Sequence, residues 1–112
     1  MQDLKISIIT VVFNAEGTIS RCIESVLQQT YDNVEYIIID GASTDETIPI
    51  INQYRHRLSH ILSEPDKGIY DAMNKGIKLA TGDIIGMLNA DDVFADFNIL
   101  SNVALAFIQQ NH

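Results

Sequence analysis

Two adjacent carboxylates, Asp91 and Asp92, come directly after the apolar run 84–88. Such a run predicts a buried strand. Two like charges at its end repel each other unless a cation lies between them and a ligand. A divalent metal site is therefore the first hypothesis for this chain. The alternative is an ordinary loop between a strand and a helix, because Asp is common in turns and at helix N-caps.

Length and charge narrow the classes of function. A chain of 112 residues that is 46% hydrophobic can bury one modest core, so we expect one domain or one half of a larger domain. The formal net charge of −8 and the lack of a clustered basic patch argue against a nucleic-acid partner. An acidic pocket can still hold a diphosphate when Mg²⁺ or Mn²⁺ lies between the two negative groups.

The sequence also suggests a cellular location. No apolar run approaches the roughly 18 residues of a membrane span, and the first residues do not resemble a signal peptide. We therefore expect a cytoplasmic chain, at the cytoplasmic face of a membrane if a further segment anchors it. The lone cysteine, Cys22, excludes an internal disulfide and is expected in the core, on the apolar face of a predicted helix.

Hydrophobic patterning predicts alternating strands and helices. Three runs have the apolar character of buried strands: 6–12, 35–39 and 83–88. A short fourth strand is predicted at 61–62, because this run lies between a helical segment and a turn. Three further segments have helical spacing: 19–27, 69–80 and 99–108. Within the second of these, we expect six residues to face the core: Ile69, Ala72, Met73, Gly76, Ile77 and Ala80. Tyr70 is expected to pack against the sheet as well, or to reach the ligand pocket from the start of the helix.

A further helix is predicted between the second and third strands, and its start is ambiguous. Ser43 and Glu46 have the spacing of a capping box, which would leave Pro49 inside the helix, whereas a start near Thr47 avoids that conflict. Nearby, Asp45 is expected to act as a cap rather than as a ligand. The resulting order β-α-β-α-β-α-β-α predicts an α/β fold with a mostly parallel, doubly wound sheet and helices on both faces.

Ligands of open α/β sheets bind outside the carboxyl ends of the strands. Acidic residues follow three of the four predicted strands, in the segments 40–43, 64–67 and 89–92. Neither G-x-G-x-x-G after the first strand nor G-x-x-x-x-G-K-[ST] occurs, which disfavours NAD-type dehydrogenases and P-loop NTPases. Asp40 can instead accept hydrogen bonds from a base or ribose, which leaves the phosphates to a metal at Asp91 and Asp92.

Four segments resemble, in order, the successive motifs of family 2 glycosyltransferases: 7–14, 39–45, 64–76 and 88–92. The resemblance implies a Rossmann-like GT-A fold, a nucleotide-sugar donor that is usually UDP-linked, and Mg²⁺ or Mn²⁺ on the acidic motif. By position, Asp40 resembles the family's base-contacting aspartate, Asp91 the aspartate near the ribose, and Asp92 the metal ligand. Asp91 is a second candidate ligand.

The first-strand motif adds two residues to this set. Thr10 and Phe13 match positions that line the nucleotide pocket in the family, Phe13 where an aromatic residue commonly flanks the base. Two positions depart from the family pattern, since Asn89 stands where the acidic motif often begins with Asp and Met73 where many relatives carry Arg. Lys67 is the candidate substitute for that arginine's contact to the nucleotide. The alternative is that Asp66 and Lys67 form an ordinary solvated turn.

The resemblance implies an inverting transfer of a sugar to a hydroxyl of a glycan or lipid-linked acceptor, in polysaccharide or glycoconjugate synthesis. The general base of the family lies well beyond the acidic motif, and this chain ends at His112. We therefore expect residues 1–112 to be a single N-terminal, nucleotide-sugar-binding half-domain whose catalytic base lies outside the chain.

Three further expectations stay open at this point. The chain could be a module that binds a nucleoside diphosphate without turning it over. A metal-dependent phosphotransferase is a weaker alternative, because it would require a nucleophilic Asp after the first strand, and this chain has Phe13 and Asn14 there. Without an acceptor half, apolar side chains such as Phe94, Phe97 and Phe107 would be exposed, which predicts self-association.

Overall fold

The computed structural model describes residues 4–110; His112 lies outside them. Four strands form its sheet: β1 (Ile6–Val12), β2 (Val34–Asp40), β3 (His60–Ser63) and β4 (Ile84–Met87). Four helices connect or follow them: α1 (Ile19–Leu27), α2 (Thr47–Gln53), α3 (Ile69–Leu79) and α4 (Ile99–Gln110). A 3-10 turn, Arg55–Arg57, precedes β3. The predicted α/β order is confirmed.

All strand pairs are parallel, and the order across the sheet is β3-β2-β1-β4. The register aligns Ile6 of β1 with Val34 of β2 and with Ile84 of β4. The chain first steps from β1 to β2 and β3, and then returns to place β4 on the other side of β1. This reversal puts a topological switch point between β1 and β4, which is where open α/β sheets bind ligands.

The two faces of the sheet carry cores of different size. On one face the buried stripe of α1, Ile51 of α2, and Leu100 and Ala104 of α4 pack against β1 and β2. The stripe is the predicted one, with Ile19, Cys22, Ile23 and Val26 buried. On the other face α3 contributes Ala72, which packs with Ile9 and two isoleucines of β2.

The orientation predicted for α3 is confirmed at Ala72 and Gly76 and wrong at three other positions. Ile69, Tyr70 and Ile77 are 51%, 79% and 43% exposed rather than packed on the sheet. Only Ala72 and Gly76 of this helix are buried. Periodicity gave the helix correctly, but the surface that α3 covers is narrow, so the flanks of its apolar stripe remain in solvent.

Gly76 allows α3 to approach β1 closely. A Cβ atom at this position would lie 2.5 Å from Cγ2 of Ile9, a fully buried side chain at the centre of the sheet. We expect Gly76→Ala to destabilise the fold by about 1 to 3 kcal/mol through overpacking, although alanine favours helix by about 1 kcal/mol. Urea denaturation measures this. Gly17→Ala is the control, because no atom lies within 4 Å of its added Cβ; equal effects of the two changes would contradict the packing argument.

The start of α2 is resolved in favour of Thr47. Pro49 therefore lies in the first turn, where a backbone N–H has no helical partner to lose. The N-cap is Glu46, which makes no side-chain cap hydrogen bond, so the expectation that Asp45 is the cap was wrong. Asp45, one residue earlier, accepts the N–H of Thr47 through Oδ1 at 2.9 Å. Within residues 4–110, no helix is long and apolar enough to cross a membrane.

Candidate functional site

A groove runs along the carboxyl edge of the sheet and consists of two adjoining cavities. They share four lining residues: Val11, Val12, Phe13 and Ile69. One cavity, of about 290 Å³, extends to Asp66 after β3. The other, of about 360 Å³, extends to Asn89 and Asp91 after β4. The groove therefore crosses the sheet from the β3 side to the β4 side, past the switch point.

The end of β1 forms the floor of the groove. Phe13 lies there with 62% of its surface exposed, and its contact with a base stays a prediction. Thr10 is fully buried, and its hydroxyl oxygen lies 2.9 Å from the Tyr36 hydroxyl. Val11 and Val12, the next two residues of β1, line the groove. A contact from Thr10 to a nucleotide stays a prediction.

Asp40 is also buried, at 1% exposure. Its Oδ2 accepts hydrogen bonds from the Ser43 N–H and the Ser63 hydroxyl, both at 2.9 Å. Its Oδ1 accepts a third, from the Ser43 hydroxyl at 2.5 Å. These bonds tie the ends of β2 and β3 together. A contact from Asp40 to a base stays a prediction.

The loops after β1 and β2 are joined by hydrogen bonds. Asn14 adopts a left-handed backbone with φ of 48°. Its side-chain Oδ1 accepts the Thr44 N–H at 2.8 Å, and its own N–H donates to the Ser43 hydroxyl at 2.8 Å. The N–H of Ala15 donates to the Thr47 hydroxyl, also at 2.8 Å. This network holds the rim of the groove together as a single unit. Asn14 has a structural role in it, at the position where a phosphotransferase would carry its nucleophile.

The loop between β3 and α3 forms one end of the groove. Gly68 has a φ of 116°, which only glycine adopts readily, and it starts α3. Lys75 Nζ holds the loop through Glu64 Oε2 at 2.9 Å and the Pro65 carbonyl at 3.0 Å. The hydrogen bond with Glu64 raises the pKa of Lys75. Lys67 is exposed beside the groove, and its role toward a nucleotide stays a prediction.

The acidic turn after β4 forms the other end. Asp91 and Asp92 are exposed, and Asp91 lines the larger cavity. The Asp92 N–H closes the turn on the Asn89 carbonyl at 2.9 Å. Between residues 4 and 110, no three His, Cys, Asp or Glu side chains are grouped to hold a metal. Two carboxylates nevertheless fit Mg²⁺ or Mn²⁺, because such sites use one or two carboxylates and take other ligands from substrate phosphates and water.

Two residues at the C-terminal end of α1, Ser25 within the helix and Gln29 just beyond it, hold the segment that follows the acidic turn. The sequence did not reveal these contacts. The Ser25 hydroxyl accepts the Phe94 N–H at 3.1 Å. Gln29, only 7% exposed, donates through Nε2 to the Asp96 carbonyl at 2.6 Å and accepts the Leu100 N–H at 3.0 Å. Both residues sit roughly 70 positions from their partners, so no local pattern relates them.

We expect Gln29→Leu to destabilise the chain by about 2 kcal/mol, because it leaves the N–H of the buried residue Leu100 and the carbonyl of Asp96 without partners. Urea denaturation measures this loss. Gln28→Leu is the matched control, since Gln28 is the exposed neighbour on the same turn. A loss at Gln28 as large as that at Gln29 would show that the hydrogen bonds are not its cause.

Known proteins are similar to this chain in sequence and in fold. The profile of Glycosyl transferase family 2 matches residues 7–107. A PGL/p-HBAD biosynthesis glycosyltransferase of Mycobacterium bovis is 39% identical over 108 residues, which cover 94% of this chain and 42% of that protein. An uncharacterized glycosyltransferase of Haemophilus influenzae is 39% identical over 110 residues, 96% of this chain and 43% of that protein. The chain thus spans less than half the length of these relatives.

Two solved structures have a similar fold. S. aureus TarS in complex with UDP-GlcNAc superposes with a TM-score of 0.82 at 26% identity, over 96% of this chain and 32% of that one. A mannosyltransferase from Pyrobaculum calidifontis, solved with GDP-Man and Mn²⁺, has a TM-score of 0.83 at 23% identity, over 90% of this chain and 31% of that one. The fold is therefore that of the amino-terminal part of a GT-A glycosyltransferase. On its sequence and its fold, this chain belongs to glycosyl transferase family 2.

Proposed function

We propose that this chain is the nucleotide-sugar-binding half-domain of an inverting glycosyltransferase. The donor is a UDP-sugar, and the acceptor is a hydroxyl of a glycan or lipid-linked molecule in polysaccharide or glycoconjugate synthesis. The observation that carries the proposal is the groove itself, which leads from Phe13 at the floor to the carboxylate of Asp91 at the β4 end. A base at the floor would leave the diphosphate beside the acidic turn.

The reaction is an in-line displacement at the anomeric carbon of the sugar. The acceptor oxygen forms a new bond to that carbon while the bond from the carbon to the diphosphate oxygen breaks, and the nucleoside diphosphate leaves with the bonding electrons. The acceptor proton passes to a general base, which we place outside this chain. Phe13 and the rim loops hold and orient the donor, which lowers the entropic cost of the displacement.

Asp91 and Asp92 would hold Mg²⁺ or Mn²⁺ together with the diphosphate. A bound divalent cation supplies electrostatic stabilisation of the charge that develops on the leaving diphosphate. The chain's own part is to present two exposed carboxylates on a closed turn. The fold of the mannosyltransferase solved with GDP-Man and Mn²⁺ is consistent with this chemistry. The cytoplasmic location expected from the sequence stays a prediction.

Calorimetric titration of UDP into this chain, with Mn²⁺ and again with EDTA, tests the proposal. We expect binding that depends on the metal and is tighter for UDP than for GDP or dTDP. Equal binding with EDTA would contradict the metal at the acidic turn. Absence of binding for every nucleotide would contradict the donor site.

A second candidate is a binding module that holds a nucleoside diphosphate without transferring a sugar. The short span of the chain relative to the curated proteins it matches favours it for the isolated chain. A sugar-transfer assay on this chain separates the two. Turnover by the chain alone would reject the module.

We also propose that the isolated chain self-associates through exposed apolar side chains between Ile85 and Phe107. Phe97 and Phe107 are 59% and 38% exposed, and Ile85 and Met87 of the edge strand β4 are 42% and 38% exposed. Phe94 differs from expectation, because it is partly buried against the larger core. Exposed apolar patches and open strand edges favour association. Light scattering at high concentration should give a mass above that of the monomer, and Met87→Lys should lower it; a monomeric mass for the unmodified chain would reject the idea.

A further inference from the structure

A group of three polar side chains is buried in the larger core, beside the acidic turn. Thr10 of β1, Cys22 of α1 and Tyr36 of β2 are at most 2% exposed. The hydroxyl oxygens of Thr10 and Tyr36 lie 2.9 Å apart, and each lies 3.8 Å from the sulfur of Cys22. Burial of a polar group costs free energy unless the group is hydrogen-bonded. The three side chains therefore act as one hydrogen-bonded unit.

The Cys22 thiol connects this unit to the acidic turn. Its Sγ donates to the carbonyl oxygen of Asn89 at 3.4 Å, and a carbonyl oxygen can only accept. Burial raises the pKa of the Cys22 thiol, which keeps the proton on the sulfur. A hydroxyl of Thr10 or Tyr36 can in turn donate to the sulfur. The hydrogen bonds thus form a chain that begins on the sheet and ends on Asn89.

The Asn89 carbonyl is also the group that closes the acidic turn. It accepts the Asp92 N–H at 2.9 Å, which is the hydrogen bond from the first to the fourth residue of a β-turn. The residues on either side of Asn89, Leu88 and Ala90, are buried in the same core as Cys22. The thiol therefore holds the peptide group that sets the shape of the turn and the directions of its two carboxylates.

We propose that Cys22 is a positioning residue for the metal at the acidic turn, because its bond to the Asn89 carbonyl holds the turn in the form that directs both carboxylates to one cation. This inference rests on the nucleotide-sugar function proposed above and adds a fully buried residue to its metal site. Exposed carboxylates bind a cation more tightly when their backbone is already held in place, since less conformational entropy is lost on binding.

Two substitutions of Cys22 test this role. Cys22→Ala removes the donor, whereas Cys22→Ser keeps one. Electron paramagnetic resonance of free Mn²⁺, with UDP present, measures the metal affinity. We expect Cys22→Ala to weaken Mn²⁺ binding by roughly five- to tenfold, near the low end of the loss that follows removal of a group that orients metal ligands. Cys22→Ser should restore most of this affinity, and UDP binding in EDTA should be unchanged in both variants.

Val26→Ala is the matched control for stability. Val26 lies one turn further along the buried stripe of α1 and is 3% exposed. Its substitution removes apolar contacts from the same helix and no hydrogen bond, so the free energy of unfolding in urea should fall while the Mn²⁺ affinity stays at the value of the unmodified chain. An equal loss of Mn²⁺ affinity in Val26→Ala and Cys22→Ala, or no loss in Cys22→Ala, would reject the positioning role.

The infrared S–H stretch tests the hydrogen bond directly, because Cys22 is the only cysteine of the chain. A hydrogen bond to a carbonyl weakens the S–H bond, so the band should lie at a lower frequency in the folded chain than in the chain unfolded by urea. The same frequency in both states would reject the inference while the metal site stands. If the band is shifted but the unmodified chain binds no Mn²⁺ in the presence of UDP, the proposed metal site fails and this inference fails with it.

Discussion

Asp92→Asn should abolish most of the metal-dependent part of UDP binding, with a loss on the order of 100-fold in affinity when Mn²⁺ is present. Substitution of groups that only orient metal ligands costs about 10- to 100-fold in metal affinity, so loss of a charged ligand belongs at the upper end. In the variant, the metal would be held by Asp91 and the diphosphate alone. The affinity in EDTA should change little.

The measurement is a pair of UDP titrations, one with Mn²⁺ and one with EDTA, on the unmodified chain and on the variant. Asp96→Asn is the control for charge, because Asp96 is exposed a few residues further along and its Oδ1 accepts the Asn98 N–H at 2.8 Å, a bond that asparagine can keep. A similar loss in both variants would mean that net charge, rather than ligation, accounts for the effect. An unchanged affinity in Asp92→Asn would remove Asp92 from the metal site.

Glu35 should make the stability of the fold depend on acid pH. It lies at the opposite end of the sheet from the groove and is only 7% exposed. Its Oε1 accepts hydrogen bonds from the Ser7 hydroxyl at 2.7 Å and the Thr81 N–H at 2.8 Å, and its Oε2 accepts one from the Thr81 hydroxyl at 3.0 Å. Lys5 Nζ lies 3.7 Å from Oε2. This carboxylate joins β1 and β2 to the segment before β4.

Desolvation opposes ionisation of Glu35, but the hydrogen bonds from Thr81 and Ser7 outweigh it and lower the pKa from 4.5 to about 2. Because Glu35 has the lower pKa in the folded state, that state binds fewer protons than the unfolded state. The contribution of Glu35 to the free energy of unfolding is therefore present in full above pH 4.5. It is lost as the pH falls toward 2. At about 1.4 kcal/mol per pKa unit, it amounts to about 3 kcal/mol.

Glu35→Gln removes the titrating group while keeping one acceptor. We expect it to destabilise the chain by about 2 kcal/mol at pH 7 and to flatten the fall in stability between pH 4.5 and 2. Urea denaturation at a series of pH values measures both. Glu46→Gln is the control, since Glu46 is exposed. Parallel pH curves for Glu35→Gln and the unmodified chain would refute the role of Glu35.

Most of the secondary structure could be predicted because its causes are local. β-branched runs restrict χ1 and favour extended chain, so β1 was predicted at its observed bounds, Ile6–Val12. The helical stripe of α1 and the conflict at Pro49 are also short-range effects. The errors on α3 have a different origin, since periodicity identifies an apolar stripe but not how much of it a neighbouring surface covers. Tyr70 is 79% exposed for that reason.

The candidate site divides in the same way. Sequence alone determined that chain segments ending in Phe13, Asp40 and Asp91 would meet at one edge, because the carboxyl ends of parallel strands lie together. It could not determine which side chains turn into the groove. That depended on three tertiary features: Thr10 is buried, two serines donate hydrogen bonds to Asp40, and Asp66 lies close to Gly41.

The sequence by itself determined the order of elements, the parallel fold class and the position of the acidic pair, because strand and helix propensity and turn chemistry act between neighbours along the chain. Only the tertiary structure decided which side chains line the groove and which residues hold the segment after the acidic turn. Gln29 binds backbone about 70 residues away, and Asp66 meets Phe13 across the ends of three strands. Such contacts arise from the order in which strands pair and helices pack, which no local pattern encodes.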